Sequence, residues 1–197
     1  MWGTSRPFVM DPVVIVLAAG RGERFAQSGG ATHKLDALLG GVPVLQRVLH
    51  TVAASGLPFH VVRPERGRTA DGMGDSIARG VAATADASGW LILPGDLPLV
   101  RVRTLYLVAR ALTSERVVMP FWQGQHGHPV GFGKECGRSL AMLSGDLGAA
   151  AIVRAHRQSG KVRELAVDDP GIVMDIDTED DLAHAEAMLA LSCGRGE

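Results

Sequence analysis

Residues 13–25 read VVIVLAAGRGERF, an unbroken apolar run from Val13 to Ala18 that passes directly into a turn containing Gly20 and Gly22. A short, β-branched apolar run is typical of a strand buried on both faces of a parallel sheet. Ligands of open α/β sheets bind just outside the carboxyl ends of the strands, and glycines there let backbone N–H groups approach a phosphate closely. The stretch therefore predicts a parallel α/β sheet with a phosphate-binding turn after its first strand.

Known phosphate-binding motifs do not describe this turn. A Walker loop requires Gly-Lys-Ser/Thr, and a dinucleotide fingerprint requires a third glycine, where this chain has Phe25. Arg21, Arg24 and the later Lys34 would supply positive charge to a triphosphate. On the glycine pattern alone, a plain strand-to-helix turn remains an equal alternative.

Outward from this strand, buried apolar runs alternate with helical patterns, separated by short loops. Strands are predicted at 13–18, 59–63, 90–93, 116–119, 161–167 and 172–176, and a polar segment at 121–128 leads into Val130-Gly131-Phe132. Helices are predicted at 43–54, 73–84, 101–112, 134–143, 147–157 and 178–191, the last with Thr178 as N-cap and Asp181 completing a capping box. The alternation predicts a doubly wound, mostly parallel sheet with helices on both faces.

The chain contains no repeat and no interdomain linker. We expect one domain over 13–192, with residues 1–12 as a disordered leader and 193–197 as a frayed tail.

Composition limits the classes of function. The formal net charge is −1, which gives no electrostatic case for binding nucleic acid or an anionic membrane. Two cysteines without metal-ligand spacing fit a reduced protein. No apolar run is long enough to span a bilayer, and the first residues lack the apolar core of a signal peptide. These observations predict a cytoplasmic protein.

Carboxylates follow two predicted strands. Asp96 lies in Leu93-Pro94-Gly95-Asp96-Leu97-Pro98, where it could hold Mg²⁺, an ion that takes oxygen ligands; a simple turn is the alternative. Asp175 and Asp177 are two positions apart on a predicted extended segment, so both side chains would point to one side. That pair could instead be solvated or belong to the helix cap.

Two further loops carry polar groups. His126 and His128 suggest a metal pair, but two histidines without a third ligand rarely make a zinc site. Ser144-Gly145-Asp146-Leu147-Gly148 precedes a predicted helix and could offer N–H groups to a phosphate, or it could be an ordinary helix cap.

Together, these motifs resemble the molybdenum-cofactor nucleotidyltransferase family. The resemblance runs from Val13 to Leu191 and depends on the order of seven motifs: LAAGRGERF at 17–25, HKL at 33–35, GMGDSIARG at 72–80, GDLPLV at 95–100, GQHGHPVGF at 124–132, GDLGA at 145–149 and DIDTEDDL at 175–182. It implies a three-layer α/β/α Rossmann-like fold of the nucleotide-diphospho-sugar transferase type.

The family's site residues carry over by position. The resemblance implies a nucleotide site formed by Leu17, Ala18, Ala19, Gly20, Arg21, Gly22, Arg24, Lys34, Gly74, Ser76 and Pro94. It implies an acceptor site formed by His128, Gly145, Asp146 and Gly148. Mg²⁺ would be held by Asp96, Asp175 and Asp177, and the catalytic residues would be Arg21, Lys34 and Asp96.

Ala19, Asp175, Asp177 and the segment 127–130 make the cytidylyltransferase branch the closest match. That branch transfers CMP from CTP to molybdopterin, giving molybdopterin cytosine dinucleotide and pyrophosphate. Its partners would be CTP, a phosphorylated pterin, and a molybdoenzyme or its maturation factor. Two positions depart from the family pattern: Ala150 stands where Arg is usual, which puts the acceptor in doubt, and Asp75 stands where small residues are common.

Three alternatives stay open at this point. One is a guanylyltransferase using GTP, or a transferase for another phosphorylated small molecule. The second is a non-catalytic carrier of the molybdenum cofactor, which Ala150 keeps open. The third is a dinucleotide-dependent oxidoreductase.

Overall fold

The first strand, β1 (Val13–Leu17), lies inside the sheet with a parallel neighbour on each side. The structure, a computed structural model, describes residues 11–64 and 72–193. In it β1 pairs with β4 (Phe59–Val62) and with β5 (Gly89–Pro94), and Ile15 lies opposite both His60 and Ile92. Four of its five residues are buried, which confirms the predicted buried strand.

The sheet has seven strands, most of which run in one direction. Beyond β5, β8 (Val130–Gly133) is antiparallel to both β5 and β6 (Val117–Trp122), so β6 runs the same way as β5. The other edge of β6 carries β9 (Val162–Ala166) in parallel, and its end forms a hairpin with β7 (Gln125–His126). Among the described strands of this sheet, only β7 and β8 run against the other five, so the sheet is mostly parallel, as predicted.

Helices cover both faces of the sheet. Alternate residues of the central strands point to opposite sides, and apolar residues on both sides need a covering layer. Val14 and Val16 belong to one apolar cluster, whereas Val13 and Ile15 belong to the other. The first face carries α2 (Val44–Ala54), α4 (Val102–Ala111) and α7 (Glu179–Cys193), and the second carries α3 (Met73–Ala83), α5 (Gly137–Ala141) and α6 (Ala150–Gln158). This is the predicted three-layer arrangement.

The predicted strand at 172–176 is wrong. Its first half is a 3-10 turn, Pro170–Val173, and residues 174–178 are irregular. Pro170 lacks an N–H group, and the Asp169 side chain caps the turn by accepting from the N–H of Gly171 at 3.0 Å. The segment's own backbone bonds go to two loops: the carbonyl of Ile172 accepts from His128, and the N–H of Ile176 donates to the carbonyl of Asp96.

Three smaller features were not predicted. A one-turn helix, α1 (Glu23–Gln27), follows the glycine turn, and β2 (Leu38–Leu39) and β3 (Val42–Pro43) form a two-stranded hairpin. The predicted helix at 134–143 is instead a 3-10 turn, Lys134–Cys136, followed by α5. The cap of the last helix is confirmed: the Thr178 hydroxyl accepts from the N–H of Asp181 at 3.2 Å, and the Asp181 carboxylate accepts from the N–H of Thr178 at 2.7 Å.

The predicted leader lies outside the described residues apart from Asp11 and Pro12, and so does the tail after Cys193. In the part of the chain that the structure describes, none of the helices combines the length and the apolar character needed to cross a membrane.

Candidate active site

A cleft of about 950 Å³ opens at the carboxyl ends of β1 and β5. This is where the chain order reverses, because β4 lies on one side of β1 and β5 on the other; ligands of open α/β sheets bind at such a point. The lining of the cleft includes the glycine turn, Lys34, Asp96 and residues from the segments 125–128 and 172–177.

The glycine turn is shaped by Gly22 and His33. Gly22 has a φ of 66° and precedes α1, a conformation that favours glycine. The Nδ1 atom of His33 accepts from the N–H of Leu35 at 3.3 Å, so its Nε2–H donates to the carbonyl of Gly20 at 2.9 Å. His33 thereby fixes the tip of the turn, a role that the sequence did not reveal.

Lys34 joins the two acidic segments. Its Nζ atom donates to Asp96 Oδ2 and to Asp177 Oδ1, each at 2.6 Å, and Arg24 Nη1 donates to Asp177 Oδ2 at 2.7 Å. Burial lowers the pKa of Lys34, but the charges and hydrogen bonds of Asp96 and Asp177 outweigh that effect and raise it. Burial would raise the pKa of Asp177, but Lys34 and Arg24 lower it overall. Lys34 and Asp177 are therefore both charged at neutral pH.

The position of Asp96 is set by its backbone. The N–H of Gly95 donates to the carbonyl of Leu17 at 2.8 Å, and the carbonyl of Asp96 accepts from Ile176 at 2.9 Å. A Cβ on Gly95 would lie 2.9 Å from the Leu17 carbonyl oxygen, so glycine allows the two strand ends to meet. Among the described residues, the buried Oδ1 atom of Asp96 has no hydrogen-bond partner, which leaves a ligand oxygen for a cation.

Asp175 and His128 also line the cleft, close enough to Asp96 to feel its charge. Burial, followed by the charges of Asp96 and Asp177, raises the pKa of Asp175. Burial also lowers the pKa of His128. The hydrogen bond to the carbonyl of Ile92 and the nearby charges of Asp96 and Asp175 raise this pKa, but the effect of burial is larger. His128 is therefore neutral at pH 7 and could offer an acceptor a hydrogen bond but no positive charge.

The loop at 144–148 packs against the start of α3. The Asp75 carboxylate accepts from the N–H of Gly72 at 3.1 Å and from the N–H of Gly145 at 3.0 Å. The Gly145 amide, predicted to be open to an acceptor phosphate, is therefore already bonded. A Cβ on Gly74 would lie 2.6 Å from the Leu147 carbonyl oxygen, so this glycine serves close packing and does not face the cleft.

Most of the predicted residues meet in the cleft. Those that line it are Leu17, Ala19, Gly20, Arg21, Gly22, Arg24, Lys34, Ser76, Pro94, Asp96, His128, Asp146, Asp175 and Asp177. Ala18, Gly74, Gly145 and Gly148 are not among the lining residues. The N–H of Ala18 is bonded to the Val62 carbonyl at 2.9 Å. A Cβ on Gly148 would lie 2.8 Å from Met73 Sδ.

The segment 72–76, which the resemblance implies for the base and ribose, contributes Gly72, Met73 and Ser76 to the lining, whereas Gln125, Ile172 and Val173 line the cleft without having been predicted. His126 and His128 are not brought together on one metal: His126 bonds to Glu164 at 3.0 Å, whereas His128 faces Ile92. No group of three or more His, Cys, Asp or Glu side chains within 11–64 and 72–193 is arranged to hold a metal ion.

The fold and the cleft define an α/β protein in which cationic and acidic side chains face one cavity at the carboxyl ends of the strands. Residues 14–160 match the MobA-like NTP transferase domain family. The chain belongs to this family of nucleotidyltransferases.

Curated relatives match part of the chain. The bifunctional protein GlmU of Leifsonia xyli subsp. xyli is 38% identical over 114 residues, which cover 47% of this chain and 23% of the relative. The chain thus spans about a quarter of the length of the curated relatives it matches.

Two solved structures share the fold. A nucleotidyl transferase from Methanothermobacter has a TM-score of 0.74 and 20% identity, covering 92% of this chain and 99% of that one. Rv0371c from Mycobacterium tuberculosis has a TM-score of 0.72 and 23% identity, covering 91% of this chain and 98% of that one. Rv0371c has also been solved in complex with manganese.

Proposed function

We propose that this protein transfers CMP from CTP to the terminal phosphate of molybdenum-bound molybdopterin. The observation that carries the proposal is the convergence, in one cleft, of the glycine turn, Lys34, Asp96 and Asp177. The cytidylyl assignment depends on the sequence resemblance at Ala19, Asp175 and the segment 127–130. The product would pass to a molybdoenzyme or its maturation factor.

In the proposed reaction, an oxygen of the acceptor phosphate attacks the α-phosphorus of CTP. The new P–O bond replaces the bond between the α-phosphorus and the bridging oxygen, and pyrophosphate leaves with that oxygen. The acceptor phosphate already carries negative charge, so no protein group needs to remove a proton. The chain's contribution is therefore positioning and charge compensation.

Different residues of the cleft would bind the triphosphate and the acceptor. Backbone N–H groups of the Gly20–Gly22 turn and the side chains of Arg21, Arg24 and Lys34 would hold the β- and γ-phosphates. Neutral His128 would orient the acceptor, and Asp146 lines the same cleft.

The acidic side chains fit a magnesium ion. Asp96 has an unpartnered buried oxygen, and Asp175 and Asp177 line the same cleft. Mg²⁺ is usually bound by one or two carboxylates together with substrate phosphates, so a site with few protein ligands suits it. When bound, Mg²⁺ would neutralise charge that develops on the phosphate oxygens. The manganese complex of Rv0371c supports a divalent ion in this fold.

The test is pyrophosphate release from CTP and purified molybdenum cofactor in the presence of Mg²⁺. We expect Asp96→Asn to lower kcat/KM by about a hundredfold or more, because a charged group at the reacting phosphates is removed. The matched control is Asp86→Asn on the exposed loop after α3, which should retain the parent rate. Turnover of Asp96→Asn at the parent rate would remove Asp96 from the site.

Ala150 favours a second candidate acceptor. It opens α6 at the position where the resemblance places Arg, so a different phosphorylated small molecule could be the substrate. A guanylyltransferase and a non-catalytic cofactor carrier are the other outcomes of the assay. Product formed only with GTP would indicate the first, and cofactor binding without pyrophosphate release would indicate the second.

A further inference from the structure

Lys34 holds a position for which two roles compete. Its Nζ atom lies 2.6 Å from a carboxylate oxygen of Asp96 and 2.6 Å from one of Asp177, so it sits directly between two proposed metal ligands. The proposed reaction also needs Lys34 at the triphosphate. An ammonium group at that point leaves no room for a divalent ion on the same two oxygens.

We infer that Lys34 takes the place of the divalent cation in the nucleotide-free protein and exchanges with it when the nucleoside triphosphate arrives. This inference rests on the proposed nucleotidyl transfer. It also assigns Asp177, in preference to Asp175, as the partner of Asp96, because the oxygens of Asp96 and Asp177 already converge on one cation.

Formal charges explain why the exchange needs the nucleotide. The side chains of Arg24, Lys34, Asp96 and Asp177 together carry no net charge. A divalent ion entering alone would meet carboxylates that are already neutralised and would be repelled by Lys34. A triphosphate brings negative charge to which the ammonium group of Lys34 can move. The carboxylates of Asp96 and Asp177 are then free to bind the metal.

The geometry permits this movement. The side chain of Lys34 is 12% exposed, so its ammonium group faces the cleft from a largely buried stem. That stem consists of flexible methylene groups, and Arg24, whose side chain is 79% exposed, can remain on the second oxygen of Asp177. The unpartnered Oδ1 of Asp96 is a ligand that a divalent ion could use and that Lys34 leaves unused.

The exchange is tested by titrating the nucleotide-free protein with Mn²⁺. Binding is measured from the electron paramagnetic resonance signal of the Mn²⁺ that remains free. We expect Lys34→Gln to bind Mn²⁺ about tenfold more tightly than the parent protein, because the competing cation is gone. The matched control is Arg21→Gln, which removes a positive charge from the same cleft but from a side chain that pairs with Glu23. It should change Mn²⁺ affinity little.

Equal Mn²⁺ affinity for Lys34→Gln and the parent, or an equal gain in Arg21→Gln, would overturn the inference. Lys34→Met serves as a second variant if Lys34→Gln fails to fold, as judged by circular dichroism, and the same gain is expected. The titration involves neither acceptor nor turnover. Failure to form a dinucleotide product would therefore refute the proposed function without changing this result, and active enzyme with unchanged Mn²⁺ binding would refute the exchange alone.

Discussion

At the scale of single residues, burial acts differently on groups with partners and on groups without them. Lys34 and Asp177 keep their charges because each faces opposite charges at hydrogen-bond distance. Cys136 is 1% exposed and has only weak contacts, to the carbonyl of Arg116 at 3.6 Å and to His156 at 3.7 Å. Burial, followed by the charge of Glu135, raises the pKa of its thiol to about 11. Cys136 is therefore a packed thiol and a poor nucleophile at neutral pH.

The raised pKa of Cys136 predicts a loss of stability in alkali. The folded state holds the thiol proton more tightly than the unfolded state, so its contribution is complete below pH 9 and is lost as pH rises through 11. Between pH 8 and 11 we expect the parent protein to lose about 2–3 kcal/mol more free energy of unfolding than Cys136→Ala. Urea unfolding of both proteins across this range measures the difference. A gap that stays constant with pH would contradict the assignment.

At the scale of elements, the side chain of Asp169 links the 3-10 turn at 170–173 to the start of α4 by hydrogen bonds. Its side chain is 2% exposed and accepts from the N–H of Arg101 at 2.9 Å, the hydroxyl of Thr104 at 2.5 Å and the N–H of Gly171 at 3.0 Å. The first two donors open α4, and the third lies in the 3-10 turn that leads to Asp175 and Asp177. One carboxylate thus sets where that turn lies.

We expect Asp169→Ala to lower the free energy of unfolding by about 2–4 kcal/mol, since it leaves buried donors without a partner. Urea unfolding checks the value. Asp168→Ala is the matched control: Asp168 is exposed, and only its backbone carbonyl is bonded, to Arg101 at 2.7 Å. It should cost little. A similar loss in both variants would show that Asp169 has no special role.

The elements that could be predicted from sequence are those whose pattern is local. The run at 13–17 needs no distant information, because β-branched apolar residues identify a buried strand by themselves. The segment 172–176 is also apolar, but its conformation depends on Asp169, His128 and the backbone of Asp96, which only the folded chain brings near. The same holds for His33: its bond to Gly20 spans 13 positions and has no signature in sequence.

The site residues, like the elements, could be predicted from sequence only in part. Ordered motifs placed Lys34, Asp96 and Asp177 in one region, and they do line one cleft. The resemblance predicts that the glycine-rich segment 72–76 contacts the nucleotide and that the segment 145–148 contacts the acceptor. Gly74 instead packs closely against the backbone of Leu147, and its N–H donates to the carbonyl of Gly145 at 2.8 Å. Gly145 has a φ of 60° and donates its own N–H to Asp75. A glycine needed for close backbone packing and one needed for a phosphate look the same in sequence.

At the scale of the whole molecule, the cleft brings together segments that are far apart along the chain. Lys34 is 62 positions from Asp96 and 143 from Asp177. A ligand that touches all three segments therefore stabilises the fold as a unit, and its effect is measurable without an acceptor.

We expect CTP with Mg²⁺ to raise the melting temperature more than GTP, ATP or UTP with Mg²⁺. At a concentration about 100 times its dissociation constant, a ligand adds about 2.7 kcal/mol of stability by mass action. Under the proposed function, chelation of the metal with EDTA should remove most of the shift, because the phosphates would then lose the charge that Mg²⁺ supplies. A larger shift with GTP would point to the guanylyl branch, and an equal shift with EDTA would argue against a metal.

The 143 positions between Lys34 and Asp177 also set when the site can first exist during translation. A nascent chain that has emerged only as far as α6 contains β1, the glycine turn and Asp96, but Lys34 still lacks its second carboxylate. Domains generally fold as units, in step with synthesis at about 5–20 residues per second. The newborn protein therefore completes its charged centre only after residues 170–178 have left the ribosome and docked on α4.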